Sequence, residues 1–578
     1  MNSKKILIAV AWPYVNGDLH PGHLAGYLLP ADIFARFQRI CGNDVLMVSG
    51  SDCHGTPITI QADKEGVNPI EIVNRYHKRD VEIFRKYKLS YNLYTHTRTK
   101  NHAEIVQTMF LDLLNNGYIE KDTMKQYYSD AEKKFLPDRY VEGKCPFCGA
   151  DNQRSDQCEI CGKWIPDGAL INPKSKLSGS PVELKDTEHY FLMLNKFEKE
   201  LREYVNSKAN VWREWVYRES IGWLDDGLKP RSITRDMDWA IDLPIDQIKL
   251  NTEKSLSSFE GKKIYVWFEA VIGYLSASIE WSKIRKNEIE LNEETDKIFY
   301  EQDEQSTEWQ EWWLNTESEH YYFMGQDNLV FHTLMWPAQL IGTQRGYTLP
   351  HNVVVNKFLN YEGEKFSKSR GKIIDLNKLL ESYQLDTIRF YISSILPENK
   401  EGDFKWEEFK NRVNGDLVGN LGNFINRTLT FALKSKNKIN LDFSDLEIDT
   451  IVLQELTKCF DLTYEYLNQC RFVDALKAIL DLTKFGNKYF DDSKIWSLED
   501  SNLLKKYLFS LLNIVSNLIV LISPFLPDSS ENLKNMTGIT KQIYEIDKNN
   551  WSLVINKNFE NIGSVHPLFK KIEDLVIV

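Results

Sequence analysis

Strand and helix signals alternate at the start of the chain, and this order constrains the fold more than any other feature. An apolar run at 6–10 leads into an Asn-Gly-Asp turn and then into a helical stretch over 23–39, with a kink expected at Pro30. A second strand follows at 44–49. Strand, helix, strand is the unit of a parallel sheet, which predicts an α/β protein with its ligands at the carboxyl ends of the strands.

Four of the eight cysteines are clustered with the spacing Cys-x2-Cys-x9-Cys-x2-Cys. Each pair closes a tight knuckle followed by a glycine, and four thiolates form a closed tetrahedral set with no open position for catalysis. A structural zinc site is therefore predicted at Cys145, Cys148, Cys158 and Cys161. The other cysteines are scattered, which is typical of a reducing, cytoplasmic setting.

The predicted sheet is split by the insertion that holds this cluster. Strand-like runs resume at 263–268, 320–324 and 352–355, and four helical stretches beyond 403 predict a bundle. The predicted fold class is α/β, a split Rossmann-like parallel sheet with an inserted zinc-knuckle domain and a C-terminal α-helical bundle. The predicted boundaries are 1–117 and 231–355 for the two halves of the sheet domain, 118–230 for the insertion, 356–402 for a loop and stem-contact region, 403–545 for the bundle and 546–578 for a C-terminal segment.

Composition excludes several classes of protein. Charged residues make up 27% of the chain, so it is neither fibrous nor disordered. The uncharged stretch 508–527 has the length of a membrane span, but serine and asparagine interrupt it, which favours a buried bundle helix and no membrane. A net charge of −12 gives no overall basic surface, so a nucleic-acid partner would need a local basic face. The acidic, tryptophan-containing segment 284–317 is predicted to be a peripheral insertion.

Two stretches at opposite ends of the split sheet have the chemistry of a phosphate site. His20, Gly22 and His23 open a helix after a strand, where N–H groups, the helix dipole and two imidazoles can meet phosphate oxygens. Lys365 and Lys368 lie in a loop of small residues that can close two cations onto a triphosphate. Taken singly, the first also fits a surface turn and the second a solvated basic loop.

Together the two stretches resemble the HIGH and KMSKS signatures of the class I aminoacyl-tRNA synthetases. Within that class the chain is similar to the methionyl-tRNA synthetase family over nearly its full length. The motifs that carry the resemblance are Ala-Trp-Pro-Tyr-Val-Asn-Gly at 11–17, Ser-Asp-Cys-His-Gly-Thr-Pro at 51–57, Phe-Leu-Pro-Asp-Arg at 135–139, Tyr-Val-Trp-Phe-Glu-Ala at 265–270 with Ile-Gly-Tyr at 272–274, and Gly-Gln-Asp-Asn at 325–328 with Phe-His at 331–332. Trp-Phe-Glu-Ala and Asp-Asn look closer to the archaeal and eukaryotic branch.

The resemblance implies a methionine–tRNA ligase that uses ATP with Mg²⁺, and it implies a role for each matching residue. The catalytic residues would be His20, His23, Lys365 and Lys368, and the ATP-binding residues Gly22, Gly325, Asp327 and Lys368. The methionine-binding residues would be Ala11, Trp12, Tyr14, Asp52, Trp267, Ala270, Tyr274, Asn328 and His332. The residues that bind the anticodon of tRNA(Met), initiator and elongator, would be Asn423, Arg427 and Trp496.

The residue types also suit methionine by their own chemistry. A thioether needs a soft pocket lined by aromatic rings, and tryptophan and tyrosine are frequent among these residues. An ammonium group needs a carboxylate, which Asp52 could supply at the end of a strand. Asn423 and Arg427 lie four apart and share one helix face, and Trp496 lies in a loop where it could stack on an unpaired base.

The chain departs from the family pattern at a few positions near these sites. Pro21 fills the variable position of HIGH, Val271 replaces a common proline, and Phe366 replaces the methionine of KMSKS. Near the anticodon residues, Ile495 replaces a proline and Gly419 an asparagine. Pro21 and Val271 spare the groups expected to touch ligand, so tuning rather than loss of function is expected there, whereas Ile495 and Gly419 leave the details of the anticodon loop open.

Two other functions stay open on the sequence alone. A synthetase for leucine, isoleucine or valine would usually carry a larger editing domain, and one for cysteine places zinc ligands in its amino-acid pocket. A catalytically dead RNA-binding paralogue is the other, but the intact histidines, lysines and Asp52 argue against it. With no further cysteines at 118–230 one zinc is predicted, and the short segment after the bundle predicts a monomer.

Overall fold

A mostly parallel sheet forms the core of the N-terminal part. The computed structural model describes residues 3–137, 140–155, 158, 160–161, 165–166, 168–251, 259–289, 298–299, 306–366, 373–539 and 551–578. Within these residues the sheet has six strands, which follow one another from edge to edge as Ile298–Phe299, Leu93–His96, Asp44–Ser51, Lys5–Val10, Glu319–Gly325 and Asn352–Asn356. The pairings are parallel except at the edge strand Ile298–Phe299, which is antiparallel to its neighbour.

The central strands are buried, which is why they read as continuous apolar runs. Positions 6–10 and 45–51 are all buried. Because parallel strands present their carboxyl ends at the same edge, the residues that follow Val10, Ser51 and Gly325 come together there. The predicted parallel sheet, with strands resuming after the insertion, is confirmed.

The strand predicted at 263–268 is wrong. Only Lys262–Ile264 forms a strand, and it pairs antiparallel with Thr234–Asp236 and Ile241–Asp242 in a separate small sheet. Val266–Glu269 is a helical turn instead. A short apolar run is buried in either conformation, so its pattern could not distinguish a strand from a helix.

The helix after the first strand is not uniform. It begins at Pro21–His23, passes through a π-helical turn at Leu24–Leu28 and continues as an α-helix at Leu29–Ile40. The π-turn lies just before Pro30, where a kink was predicted, and Pro30 itself lies in the first turn of the α-helical part. Two more π-helical segments are Phe331–Met335 and Val413–Gly422.

The segment predicted to be peripheral contributes to the core, so that prediction is wrong. Trp312 and Trp313, in the short helix Gln310–Trp313, are fully buried. The ring of Trp312 meets Trp281 edge-on at 5.4 Å between centroids, and Trp313 meets His320 at 4.8 Å. The acidic composition around these tryptophans hid their burial, because their partners come from other parts of the chain.

The insertion is built from two small antiparallel sheets and helices. The larger sheet comprises Arg231–Ser232, Glu183–Leu192, Ile119–Ser129 and Lys134–Phe135, and the smaller, which carries the cysteines, comprises Gln153–Arg154, Val141–Lys144 and Ile171–Ser175. The α-helices in this region are Glu198–Asn206 and Glu214–Asp225.

The C-terminal part is an α-helical bundle, as predicted. Its α-helices are Trp406–Arg412, Asn423–Ser435, Thr450–Asn468, Phe472–Ser493, Ser501–Ile522 and Pro527–Thr537. The helix Ser501–Ile522 is long and apolar enough to cross a membrane, but 83% of its most apolar window is buried inside the protein. It is therefore the core helix of the bundle, which confirms the prediction for 508–527.

The remaining elements connect these parts. The α-helices are Thr56–Glu65, Pro69–Lys86, Lys100–Asn115, Ile245–Asn251, Gly273–Arg285, Trp336–Gly342, Leu376–Ser382 and Leu385–Ser394. A three-stranded sheet before the bundle is formed by Glu364–Lys365, Leu359–Tyr361 and Gly402–Phe404.

A buried arginine joins the sheet domain to the bundle. Arg389 donates to Oδ2 of Asp32 at 2.7 Å and also to the backbone carbonyls of Tyr87, Pro524 and Phe525. Neither the Arg389 nor the Asp32 side chain is exposed. Burial opposes the charge of Asp32, but Arg389 and a neighbouring arginine hold the pKa of this carboxyl well below its ordinary value.

We expect Arg389→Met to lower the free energy of unfolding by about 3–5 kcal/mol, because it removes one partner of a buried ion pair. The matched control is Arg345→Met, which breaks a half-exposed pair with Asp112 and should cost about 0–1 kcal/mol. Thermal unfolding of both variants measures the difference. Equal losses of stability in the two variants would contradict a stabilising role for the buried Arg389–Asp32 pair.

Candidate functional site

The two histidines of the first signature are held by the backbone of their own turn. The N–H of Gly22 donates to Nδ1 of His20 at 3.1 Å, and the N–H of His20 donates to Nδ1 of His23 at 3.1 Å. A neutral imidazole that accepts at Nδ1 carries its proton on Nε2. Both rings therefore have an Nε2–H donor, the type of group that binds a phosphate oxygen. A Cβ at Gly22 would lie 2.7 Å from the His20 ring, so this capping needs glycine.

The start of the second signature, at Phe366, is in contact with the first signature, at His20. The ring of Phe366 stacks on His20 with centroids 4.5 Å apart and on Tyr361 with centroids 5.6 Å apart. The exposed side chain of Lys365 places Nζ 5.5 Å from the ring centroid of Phe358. Lys368 lies outside the described residues, so its predicted role is not addressed by the structure.

Asp52 follows the second strand and is nearly inaccessible, with 3% exposed. Its backbone N–H donates to the carbonyl of Pro13 at 2.8 Å, and its carbonyl accepts from the N–H of Val15 at 3.2 Å. These bonds fix Tyr14 beside Asp52. Burial raises the pKa of the Asp52 carboxyl, and the negative charge of Glu269 raises it further. A bound cation would relieve both effects.

The second buried carboxylate, Glu269, was not predicted as a site residue. Its two oxygens lie 3.0 Å from Nδ1 of His54 and 2.7 Å from Nε2 of His102. On its other side, His102 places Nδ1 2.7 Å from the hydroxyl oxygen of Ser276, which lies 3.0 Å from the carbonyl of Gly273. His102 thus bridges Glu269 and Ser276. Burial alone would raise the pKa of Glu269, but the two histidines hold it below its ordinary value.

Tyr274, His332 and Asn328 form one hydrogen-bonded chain. Nδ1 of His332 lies 2.9 Å from the carbonyl of Asn328, to which it can only donate. Burial lowers the pKa of His332 to about 4, so the ring is neutral and its Nε2 accepts from the hydroxyl of Tyr274 at 2.7 Å. The three predicted residues therefore come together with defined donors and acceptors.

The indole of Trp12 is packed against two glycines. A Cβ at Gly50 would lie 2.2 Å from this ring and a Cβ at Gly273 2.6 Å from it. The ring also meets Tyr274 edge-on, with centroids 6.3 Å apart. Only glycine at both positions leaves room for this tryptophan beside the predicted pocket. The neighbouring Ala11 is buried and donates its N–H to the carbonyl of Phe323.

The other predicted pocket residues adjoin groups already described. Trp267 meets Phe331 edge-on with centroids 5.3 Å apart, in the segment that also carries His332. Ala270 follows Glu269 at the start of a 3₁₀ turn. At the end of the strand Glu319–Gly325, a Cβ on Gly325 would lie 2.9 Å from Oδ1 of Asp327, so the two predicted ATP-binding residues are in contact.

The four cysteines are close enough to bind one metal ion. Their sulfurs all lie within 4.8 Å of one another, with Cys145 to Cys161 at 3.9 Å and Cys148 to Cys158 at 3.6 Å. With Zn–S bonds of about 2.3 Å, the edge of a tetrahedron is about 3.8 Å, so these separations fit. Backbone N–H groups of Phe147 and Cys161 donate to sulfur at 3.4 Å, as expected in knuckles that stabilise thiolates.

The three predicted anticodon residues meet through two residues of a neighbouring helix. Asn423 and Arg427 both donate to Oδ1 of Asn487. The guanidinium of Arg427 lies 3.9 Å from the ring centroid of Phe490, which stacks with Trp496 at 5.9 Å. Trp496 is 55% exposed, so it is not a core residue. Asn487 and Phe490 were not predicted, because helical spacing alone does not reveal partners on another helix.

Two family models match the chain. One, described as tRNA synthetases class I (M), matches residues 6–429, and the other, described as the anticodon-binding domain of tRNA ligase, matches residues 449–574. The chain belongs to the methionyl-tRNA synthetases. It is an enzyme, a methionine–tRNA ligase of class I, and its C-terminal helices form an anticodon-binding domain.

Methionyl-tRNA synthetases similar to the chain occur in bacteria and archaea. The methionine–tRNA ligase of Dehalococcoides mccartyi is 41% identical over 578 residues, covering 100% of this chain and 98% of that protein. That of Thermococcus kodakarensis is 38% identical over 587 residues, covering 99% and 75%. A solved Mycobacterium tuberculosis methionyl-tRNA synthetase in complex with methionyl-adenylate shares the fold, with a TM-score of 0.75 at 21% identity over 98% of this chain and 99% of that one.

We expect Gly50→Ala to displace Trp12, because the new methyl group would lie 2.2 Å from its ring and 2.7 Å from the carbonyl of Thr95. Overpacking of this kind costs about 1–3 kcal/mol. Gly26→Ala is the control, since nothing lies within 4 Å of its Cβ position and alanine favours a helix by up to about 1 kcal/mol. Thermal unfolding measures the stability of both variants, and methionine-dependent ATP–pyrophosphate exchange measures their activity. Unchanged stability and activity of Gly50→Ala would contradict this packing role.

Proposed function

We propose that the chain activates L-methionine with ATP and Mg²⁺ and then transfers it to tRNA(Met), initiator and elongator. In the first step a carboxylate oxygen of methionine attacks the α-phosphorus, and the bond to pyrophosphate breaks. In the second a ribose hydroxyl of the terminal adenosine attacks the methionyl carbonyl and releases AMP. The observation that carries the proposal is the buried carboxylate of Asp52, which is fixed beside Tyr14 where the second strand ends.

The methionine pocket uses a charge at one end and aromatic surface at the other. Asp52 holds the α-ammonium, and the backbone at Ala11 and Trp12 helps to position it. Tyr14, Trp267, Ala270, Tyr274, Asn328 and His332 surround the side chain. The hydroxyl of Tyr274 is already committed to His332, so the pocket offers the thioether rings rather than a strong donor.

ATP binds where the two signatures meet. The Nε2–H groups of His20 and His23 donate to phosphate oxygens, Gly22 allows close approach, and Gly325 and Asp327 position the nucleotide. Mg²⁺ bound with ATP neutralises charge on the triphosphate. Lys365 and Lys368 stabilise the charge that develops as pyrophosphate leaves. The stack of Phe366 on His20 supports this arrangement, because it already brings the start of the loop to the helix N-terminus.

The helical domain reads the CAU anticodon with Asn423, Arg427 and Trp496. Unpaired loop bases are recognised by stacking and by hydrogen bonds to their edges. The half-exposed ring of Trp496 and the polar pair beside it supply both kinds of group. The overall charge of −12 is compatible with this, since recognition needs only a local set of cations.

The ion held by the four cysteines is zinc, one per chain, with a structural role. The four-thiolate set and its near-tetrahedral spacing support zinc over harder cations such as Mg²⁺. None of the eight cysteines, all of which lie within the described residues, forms a disulfide, which supports a reducing, cytoplasmic setting. The enzyme acts as a monomer of the six segments predicted from the sequence, except that the insertion extends past 230 to include the strand Arg231–Ser232.

The branch of the family is a separate proposal. The Trp-Phe-Glu-Ala and Asp-Asn motifs support a place near the archaeal and eukaryotic enzymes. The bacterial and archaeal relatives named above are almost equally identical to the chain, so they favour neither placement. A phylogenetic tree of complete sequences tests it.

We expect Asp52→Asn to lower kcat/KM for methionine in ATP–pyrophosphate exchange, by an amount equivalent to about 2–4 kcal/mol of transition-state stabilisation. The amide keeps the size of the side chain but loses the charge that holds the ammonium. The control is Asp18→Asn, which breaks an exposed pair with Arg79 and should leave exchange unchanged. Exchange that ran as well with leucine as with methionine would show that the amino-acid assignment is wrong.

Elemental analysis should find one zinc per chain, and Cys148→Ser should release it and unfold the insertion, because such knuckles depend on their metal for folding. Cys41→Ser, outside the cluster, is the control and should keep the zinc. Two zinc ions per chain, or none in protein purified without chelators, would refute the prediction.

A further inference from the structure

One asparagine amide connects both side chains proposed to read the anticodon. Oδ1 of Asn487 accepts from Nδ2 of Asn423 at 3.1 Å and from Nη1 of Arg427 at 3.4 Å. Nδ2 of Asn487 donates to the backbone and side-chain oxygens of Asn420 at 3.1 and 3.2 Å, and to the carbonyl of Thr483 at 3.1 Å. Both ends of the Asn487 amide are therefore used within the protein.

The neighbours of Asn487 fix which way its amide points. Arg427 carries only donors, whereas the backbone carbonyls of Asn420 and Thr483 can only accept. Exchanging the oxygen and nitrogen of Asn487 would place donor against donor on one side and acceptor against acceptor on the other. The oxygen must face Arg427, and Asn423 must therefore turn its amino group toward Asn487.

The helices that carry these groups are in close contact beside Asn487. A Cβ at Gly486 would lie 2.6 Å from the ring of Phe424, which follows Asn423 on the neighbouring helix and is fully buried. Glycine at 486 thus allows the approach that brings Asn487 within reach of Asn423. Asn420 belongs to the π-helical segment Val413–Gly422, a type of irregularity that is frequent at functional sites.

We propose that Asn487 is a positioning residue that sets the amide of Asn423 so that the first anticodon base meets its carbonyl oxygen. This rests on the proposed anticodon site. A carbonyl oxygen accepts a hydrogen bond from the exocyclic amino group of cytosine, whereas uracil has an oxygen at the same place. Two facing oxygens repel, so a fixed Asn423 selects cytosine over uracil. Arg427, which donates to the same oxygen of Asn487 and is paired with Asp491, supplies its remaining donors to the acceptors of the cytosine ring.

The test compares two variants on two tRNA transcripts that differ only in the first anticodon base, CAU and UAU. Asn487→Leu has similar size and no acceptor, so it should lower the ratio of kcat/KM for CAU over UAU about tenfold or more, the scale of one lost base-edge contact. Asn487→Asp keeps an oxygen toward Asn423 and Arg427, so its ratio should stay near that of the wild type. The second oxygen of the aspartate faces the carbonyls of Asn420 and Thr483, so this variant should nevertheless unfold at a lower temperature.

The expected result is therefore that Asn487→Asp loses stability but keeps its selectivity for CAU, whereas Asn487→Leu loses that selectivity. If Asn487→Asp loses selectivity together with stability, or if Asn487→Leu keeps the wild-type ratio, the proposal is overturned. ATP–pyrophosphate exchange without tRNA should be unchanged in both variants, which shows that the catalytic domain is intact.

Trp496→Ala separates this inference from the proposed anticodon site. If Trp496→Ala leaves tRNA charging unchanged, the anticodon site itself is wrong, and the inference fails with it. If Trp496→Ala lowers charging at least about tenfold, the scale of a lost base–aromatic stack, the site stands. An unchanged CAU to UAU ratio in Asn487→Leu would then overturn only the role of Asn487.

Discussion

Parallel pairing of three strands brings together the residues proposed to carry the chemistry of this enzyme. Lys5–Val10 pairs with Asp44–Ser51 on one side and with Glu319–Gly325 on the other. The two outer strands of this trio are far apart in sequence, because the insertion lies between them. Parallel strands align their carboxyl ends, so the histidine turn, Asp52 and the Gly325 turn share one edge. A slip of one residue in either pairing would turn the side chains to the opposite face and separate these groups.

The two buried carboxylates at this edge are compensated in different ways, and the difference separates their roles. Glu269 lies within hydrogen-bonding distance of two imidazoles of the protein itself, and despite burial they hold its pKa below the ordinary value before any ligand arrives. Asp52 accepts a backbone N–H from His54, and burial beside Glu269 raises its pKa. A ligand ammonium therefore gains most at Asp52, whereas Glu269 keeps the surrounding rings in place.

Sequence predicted the parts of the site that are made by neighbouring residues. The cysteine knuckles and the His20–His23 turn depend on local spacing, so their patterns indicate their structure directly. Partners that meet only in the folded chain left no such signal: His102 for Glu269, Asn487 for Asn423, and the aromatic neighbours of Trp312. Each of these contacts depends on the packing of two elements, which neither composition nor periodicity describes.

The π-helical turns have a consequence for how this enzyme can vary. Each lies beside a residue with a proposed role: Leu24–Leu28 after His23, Phe331–Met335 around His332, and Val413–Gly422 just before Asn423. A π-turn holds one residue more than an α-turn, so it accommodates an extra residue while the helix on either side keeps its facing. Deleting one residue there would restore a regular α-turn and remove the wide turn beside the residue with the proposed role. The number of residues in each helix, as well as its composition, is thus constrained at these three points.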